Sequence, residues 1–585
     1  MSLLDLHDSI FVFMSSSVSR NITYREKKQH KWQNTIVGAL SFGVLSTLVS
    51  ATPGLGAERI AFYYPPFGEF TISTDDIETY AESGRVTRDF AFYLNRVPSS
   101  QRAQFRQLLR THFKLNATLV SQVSYSALGE SVVRRLSELI MTESRQGSFY
   151  ALRSALILSA TNPKGLNIVE VIRRYPSSTI RLNLTEGQSI LTNFSELLRR
   201  RDRVVGGLKE VATAEALNQT TDFSQQPDLR VNGSFGYKVV SLEMNDVDRS
   251  RAFPVDLYLP QNNNNRSGGA STSIKPPFPL IVISHGVAED RETFAYAAQH
   301  LASYGFAVAV LEHPGSDAKK IQQYFAGLAS PPEARELINR PLDIKFLLDQ
   351  LQRLNESGSN FVGQLNVQEV GVIGHSYGGY TALTLAGATI DVNSVSKQCN
   401  PNNSLNLSVL LQCRANELLQ QNISIPSFQD TRVKAVMALN PFGSVVLNQK
   451  GFSKIQVPIM LMGGSQDVIT PAVPEQVIPF TWLTSQNKYL ALIENGTHFS
   501  TSEKLNASKP VLPVPRELIG PNPAIAQMYV KAFSVAFFQT HLVNQQQYSP
   551  YLSYAYAQYI SRAPLNIDLV RSLTSEQLEK IFVNN

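Results

Sequence analysis

The sequence predicts an α/β protein built on a mostly parallel sheet of about eight strands, with a helical segment ahead of it and an insert after its central strand. Three observations carry this. Six near-continuous apolar runs, Leu280–Ser284, Phe306–Leu311, Val370–Ile373, Val433–Leu439, Ile459–Met462 and Tyr489–Ile493, have the length and composition of strands buried on both faces. Segments of helical period separate most of them, at Glu292–Tyr304, Pro341–Leu354, Gly379–Ala386 and Glu475–Thr484. Strand and helix in alternation is the pattern that right-handed crossovers of a parallel sheet produce. Two earlier runs, Val239–Met244 and Val255–Leu259, alternate around the turn-like Asn245–Asp248 and read as an antiparallel pair, completing the count.

From the N-terminus, Arg25, Lys27, Lys28 and Lys31 precede an apolar run, Ile36–Val49, and then Pro53, Gly54, Leu55, Gly56 and Ala57. Basic flank, apolar stretch and small residues read as an export signal within residues 1–57, cleaved near Ala57. The run is short for a membrane span, so an uncleaved anchor at 36–49 is the alternative. Residues 58–200 read as a helical accessory domain. Asp75 and Asp76 suit a helix start, Pro98–Arg102 opens another helix through Leu109, and Ser131–Met141 has apolar residues at helical spacing. Phe62–Phe67 reads as a segment packed on the next domain, with a docking stripe as the alternative. The polar stretch 201–230 reads as a linker. The α/β domain is placed at 231–545, with a flexible loop at Asn262–Ser273 and a cap insert at 389–431 that includes the amphipathic Ser404–Leu419. Ala524–Leu542 favours a long helix. Residues 546–585 read as a helical tail, with the aromatic run Tyr548–Tyr559 and a helix near Ser575–Phe582.

The 585 residues are 43% hydrophobic and 17% charged, enough apolar content for a sizeable core. The net charge of +6 is scattered, with one local cluster at Arg199–Arg203, and this patterning does not suit nucleic acid. No H-E-x-x-H or paired-cysteine motif is present and the histidines are dispersed, so neither metal nor cofactor is expected. Asn-x-Ser/Thr triplets are numerous and read as compositional, since Asn495–Thr497 almost abuts His498. The two cysteines, Cys399 and Cys413, both fall in the insert. In an exported chain they are expected to form a disulfide, with two buried thiols as the alternative.

The stretch Glu369–Leu383 organises the rest. An apolar strand runs into Gly374-His375-Ser376-Tyr377-Gly378 and a helix of small residues follows, the strand, elbow and helix setting of a nucleophilic serine. Ser376 is the candidate nucleophile, and Gly374 and Gly378 are the positions where a side chain would collide with the neighbouring elements. A serine hydroxyl needs a base, an orienter for that base and donors for an oxyanion. His498, just after the last apolar strand, is the expected base. His375 adjoins Ser376 and would point away from it, His285 lies in the oxyanion segment, and His313 ends another strand. Asp467, in Gly463–Pro471 after the seventh strand, is the expected acid, with helix capping as its alternative role. The backbone N–H groups of Val287 and Tyr377 are the expected oxyanion donors.

Ser284-His285-Gly286-Val287, Leu301–Phe306, Val310–His313 and Gly374–Gly379 resemble the platelet-activating factor acetylhydrolase group and its dienelactone-hydrolase-like bacterial relatives, over about Phe235 to Phe499. The resemblance implies an alpha/beta-hydrolase fold and a Ser-His-Asp triad. Phe62–Phe70 resembles a helical extension of uncharacterised bacterial hydrolases. In the acetylhydrolases the triad acid follows the sixth strand, where this sequence has Asn440, so the acid is expected at Asp467 instead, as in dienelactone hydrolases. The functional expectation is an exported serine ester hydrolase, carboxylesterase, lipase or acetylhydrolase-like, taking a small-molecule or lipid ester and open to peripheral membrane contact. An acyltransferase or peptidase of the same fold, or a non-catalytic cell-envelope binding protein, is the alternative. The sequence leaves the oligomeric state open.

Overall fold

The apolar runs become the centre of a nine-stranded sheet. A computed structural model describes residues 56–583 except 217–220, 263–274, 358, 400–405 and 504–515. The run Ile36–Val49, with its reading as signal or anchor, lies outside the described residues, as does all but Asn262 of the loop expected at Asn262–Ser273. Among the described residues no helix is long and apolar enough to cross a membrane.

The N-terminal segment carries a four-stranded sheet, β1 (Arg59–Tyr64), β2 (Gly68–Ser73), β3 (Ile140–Met141) and β4 (Thr179–Leu182), in the order β2-β1-β4-β3. Helices Thr74–Ser83 and Ser99–Arg110 match two of the helical spans expected there, whereas Ser131–Met141 is helical only as far as Ser137, within Ala127–Ser137, and its last two residues form β3. The expectation of a purely helical domain is therefore corrected. Arg59–Tyr64 and Gly68–Ser73 are too short for their period to register, yet they close an antiparallel hairpin around Pro65-Pro66-Phe67. Tyr63, Tyr64 and Phe67, at the tip of that hairpin, are exposed rather than packed on a neighbouring domain.

The expected linker is also corrected. A 33-residue helix, Leu184–Ala216, takes up its first half and is about 50 Å long at the usual rise. Asp202, Lys209 and Glu210 face solvent, while Val204, Leu208 and Ala212, four apart, bury a stripe in the main core. The Arg199–Arg203 cluster is largely paired locally: Arg199 and Arg200 both bond Glu196. Beyond the helix Phe223 and Leu229 are buried as well, and the described residues form one unit.

The large sheet contains β5 (Gly236–Asp246), β6 (Arg251–Gln261), β7 (Phe278–Ser284), β8 (Ala307–Leu311), β9 (Leu365–His375), β10 (Val433–Leu439), β11 (Ile459–Gly464), β12 (Lys488–Ile493) and β13 (Ile567–Val570), in the order β13-β12-β11-β10-β9-β7-β8-β6-β5. From β8 across to β12 neighbouring strands are parallel. Successive side chains go to opposite faces. Leu280, Val282, Val370 and Val372 pack beneath helices Glu336–Glu356 and Tyr377–Leu385, whereas Ile281, Ile283 and Ile373 meet Ala295–Ser303 and Pro523–His541. With both faces covered, the loops free to carry chemistry are those leaving the carboxyl ends of the strands.

The tail at 546–585 is not wholly helical: β13 pairs antiparallel with β12, Leu490 opposite Val570, and makes the ninth strand. Four residues interrupted by an aspartate gave no strand signal. Asp568 is 9% exposed, and burial, reinforced by the Glu494 carboxylate and opposed by Lys209, pushes its carboxyl up to about 6. The folded chain thus holds a proton that the unfolded chain, titrating near 3.9, has released. Stability conferred by the neutral form is complete below pH 4 and is lost as pH rises toward 6. Asp568→Asn is expected to raise the thermal unfolding midpoint at pH 7.5, by on the order of 1–2 kcal/mol in stability after allowance for partial solvent contact. Scans at pH 4 and 7.5 check this: the advantage of Asn should vanish at the lower pH.

Candidate active site

Strand β9 ends at His375, and the chain turns sharply at Ser376, whose φ of 54° and ψ of −113° are unusual for a residue with a side chain. Helix Tyr377–Leu385 begins immediately after it. The turn requires glycine on either side. A Cβ at Gly374 would lie 2.0 Å from the Gly378 carbonyl oxygen, and one at Gly378 would lie 2.0 Å from that of Ser284. The Ser376 N–H donates to Leu439 O at 2.8 Å, tying the elbow to β10.

Three loops meet at this elbow. His498 Nε2 lies 3.0 Å from Ser376 Oγ, and His498 Nδ1 lies 2.8 Å from Asp467 Oδ2. Asp467 Oδ1 accepts the N–H groups of Ile469 and Thr470, each at 2.8 Å. Burial pushes the Asp467 carboxyl up, but the His498 ring and the surrounding donors outweigh it and hold the group below the ordinary carboxylate range. Asp467 is therefore ionised and accepts the Nδ1–H, leaving Nε2 to take the serine proton. Ser376, Asp467 and His498 are 8%, 4% and 3% exposed, so the constellation is almost shielded from water.

The expected oxyanion donors lie on the two segments that flank the nucleophile. Among the described residues no backbone or side-chain acceptor takes the Val287 N–H, and Tyr377 opens its helix, so its N–H has no carbonyl one turn back within it.

Residues 56–183 match the family described as "Alpha/beta hydrolase of unknown function (DUF1400)". Residues 255–345 match "Platelet-activating factor acetylhydrolase, isoform II". Both matches, and the mostly parallel nine-stranded sheet, agree with an alpha/beta-hydrolase fold. The second match spans the segment expected to supply an oxyanion donor and stops short of Ser376, Asp467 and His498. No curated protein matches this hydrolase.

Several residues that complete the hydrolase site gave no motif. Asn440, at the sixth-strand position, donates from Nδ2 to Asp467 Oδ2 at 2.7 Å, so the two places an acid could occupy are in contact. Thr470 Oγ1 lies 3.0 Å from Asn440 O and 3.2 Å from His498 Nδ1. Arg201, on the long N-terminal helix, donates to Gln466 Oε1 at 2.7 Å, beside Asp467. Arg340 is fully buried and donates to His285 O at 2.6 Å, to Gly286 O at 3.1 Å and to Ser316 Oγ at 2.9 Å. Its guanidinium also stands over the Tyr377 ring, 4.7 Å from the centroid. Burial lowers its pKa to about 10, which leaves it charged at neutral pH. Arg340 thus fixes the carbonyls just before Val287. A cation amid the apolar positions Leu337, Ile344 and Leu348 was the one signal that could have pointed to it.

The hydrolase also contains a lookalike. Ser284 Oγ lies 2.9 Å from His313 Nε2, and His313 Nδ1 lies 2.9 Å from Asp343 Oδ2. All three side chains are fully buried. Burial, with Arg340, Arg251 and Arg249 nearby, holds His313 well below the usual imidazole range. Asp343 is already engaged by Arg249 and Arg251. Ser284 sits in extended backbone paired on both sides, far from a nucleophile elbow's geometry. His285, in the same segment, donates from Nδ1 to Gly286 O and accepts the His313 N–H at Nε2.

In the insert, Cys399 and Cys413 are joined by a disulfide, with Cα atoms 5.4 Å apart. Next to it, Gln412 donates to Glu475 Oε1 at 3.0 Å and accepts the N–H groups of Val445 and Val446. Arg414 donates to Pro332 O and lies near the Tyr377 phenol, so the insert reaches the residue after the nucleophile. Helix Ala127–Ser137 of the N-terminal segment packs against helix Leu407–Cys413 of the insert.

Proposed function

We propose that the protein is an exported serine hydrolase of carboxylic esters. The observation that carries this reading is the unbroken chain from Ser376 Oγ through the His498 ring to an ionised Asp467, set on a strained elbow. Ser376 Oγ attacks the ester carbonyl while His498 Nε2 takes its proton, and the developing oxyanion turns to the N–H groups of Val287 and Tyr377. Collapse breaks the bond to the alkoxy group, which leaves as the alcohol with the proton from His498, and the acyl group stays on Ser376. Water deprotonated by His498 then frees the acid and restores the serine. Export is supported by the basic and apolar N-terminal sequence together with the Cys399–Cys413 disulfide, a bond that persists in oxidising compartments.

A fluorophosphonate probe tests the reading, with the modified peptide identified by mass spectrometry. Labelling is expected at Ser376 and absent at Ser284, alongside hydrolysis of a chromogenic short-chain ester. A folded protein that takes up no label and cleaves no ester overturns the assignment.

A further inference from the structure

His375, between Gly374 and the nucleophile, has both ring nitrogens against acceptors. Nδ1 lies 3.0 Å from Glu289 Oε2, and Nε2 lies 2.9 Å from the main-chain oxygen of His498. A carbonyl oxygen can only accept, and so can a carboxylate, so each nitrogen must carry a proton and the ring is an imidazolium. Glu289 faces donors in turn: Oε2 also takes the Gly286 N–H at 2.5 Å, and Oε1 takes the Ser502 hydroxyl at 2.8 Å. The His375 and Glu289 side chains are almost completely buried, as a matched pair must be if its charges are to be tolerated away from water. Gly286 is required beside them, because a Cβ there would lie 2.8 Å from Glu289 Oε2 and 3.1 Å from His375 Nδ1.

The pair joins three segments that the reaction needs in register. Gly286 is the residue before the oxyanion donor Val287, His375 is the residue before Ser376, and the His498 carbonyl belongs to the base itself. We propose that Glu289 and His375 are positioning residues that lock the oxyanion loop and the main chain of His498 onto the nucleophile elbow. The proposal rests on the reading of Ser376 as nucleophile. Its signature is a loss in kcat with KM little changed, since the donors and the base meet the substrate most strongly in the transition state.

Protonation of His375 links the device to pH. The titratable groups facing the ring are Glu289, Asp467 and His498, and the Phe294 and Phe499 rings pack on it as well. Burial lowers the His375 pKa, but Glu289 outweighs it and the proton is held above the usual imidazole range. Burial raises Glu289, yet His375 and the other donors bring it down to about 2. Once pH passes the raised pKa of His375, a ring nitrogen loses its proton and faces an acceptor, so kcat should show an alkaline limb.

The experiment uses the full chain. Labelling of the parent at Ser376 is measured first, because its failure refutes the nucleophile assignment, whereas the positioning role is read from the variants. Glu289→Gln is expected to lower kcat about tenfold or more, with KM within about twofold. It should also move the alkaline limb to lower pH by about one unit or more. The double variant Glu289→Gln/His375→Asn, which removes both charges, should be no slower than Glu289→Gln alone. A Glu289→Gln enzyme with parental kcat overturns the proposal, and so does a drop in kcat with an unmoved pH profile. If Glu289→Gln does not fold, Ser502→Ala decides, since it keeps both charges but removes one donor to Glu289: a shifted limb supports the role, and an unchanged kcat and limb overturn it.

Discussion

Ser376→Ala is expected to abolish fluorophosphonate labelling and to lower ester turnover by roughly 10⁵–10⁶-fold while the fold persists. The loss is large because His498 and Asp467 have no other nucleophile to serve: His498 Nε2 has Ser376 Oγ as its partner, and the lookalike serine at 284 is fully buried on another strand. Residual rate above water would come from the Val287 and Tyr377 donors, which the substitution leaves in place. The fold should tolerate the change. One oxygen is removed, and the backbone bond that closes the elbow, Ser376 N–H to Leu439 O, does not involve the side chain. Turnover by purified Ser376→Ala within tenfold of the parent would place the nucleophile elsewhere.

Asp467→Asn is expected to lower turnover about 10⁴-fold. An asparagine at 467 can donate to His498 Nδ1, which selects the tautomer whose Nε2 carries a proton and cannot take another from Ser376. The amide also removes the charge that stabilises the His498 cation. The contact between Asn440 Nδ2 and Asp467 Oδ2 yields a sharper form of the test. Asn440→Asp alone sets two carboxylates against each other, so one is expected to hold a proton and activity near neutral pH should fall. With Asp467→Asn in the same chain, the positions are exchanged: an amide stands at 467 and an anion beside it, on the loop after β10. The double variant should recover part of the activity that Asp467→Asn loses. Comparing turnover across the four proteins checks this, and a double variant slower than both single ones would show that the sixth-strand position cannot serve His498.

The residues that identified this site were legible because their signals are local. Strand β9, the glycines at 374 and 378 and the helix after Ser376 occupy a single stretch of sequence, and steric exclusion by Gly378 O and Ser284 O explains why that spacing is needed. Asp467 and His498 each follow an apolar strand directly, and parallel strands deliver such loops to one edge. The alternation of apolar strands with helices likewise defined the α/β class and the order of its central elements.

The elements that escaped notice are those whose role exists only between distant segments. The four residues of β13 become a strand by pairing with β12 across most of the C-terminal segment. The first part of the polar stretch 201–230, as far as Ala216, becomes a helix of the core because Val204, Leu208 and Ala212 find an apolar surface contributed by other parts of the chain. Glu289 and His375 are 86 residues apart, and Arg201 and Gln466 are 265 apart. The sequence by itself determined the fold class and the candidates for nucleophile, base and acid, since spacing and hydrophobic period are properties of contiguous residues. The tertiary structure alone decided the ninth strand, the docking of the long helix, the buried Arg340 and the Glu289–His375 pair, because a buried charge has meaning only once its partners are in reach.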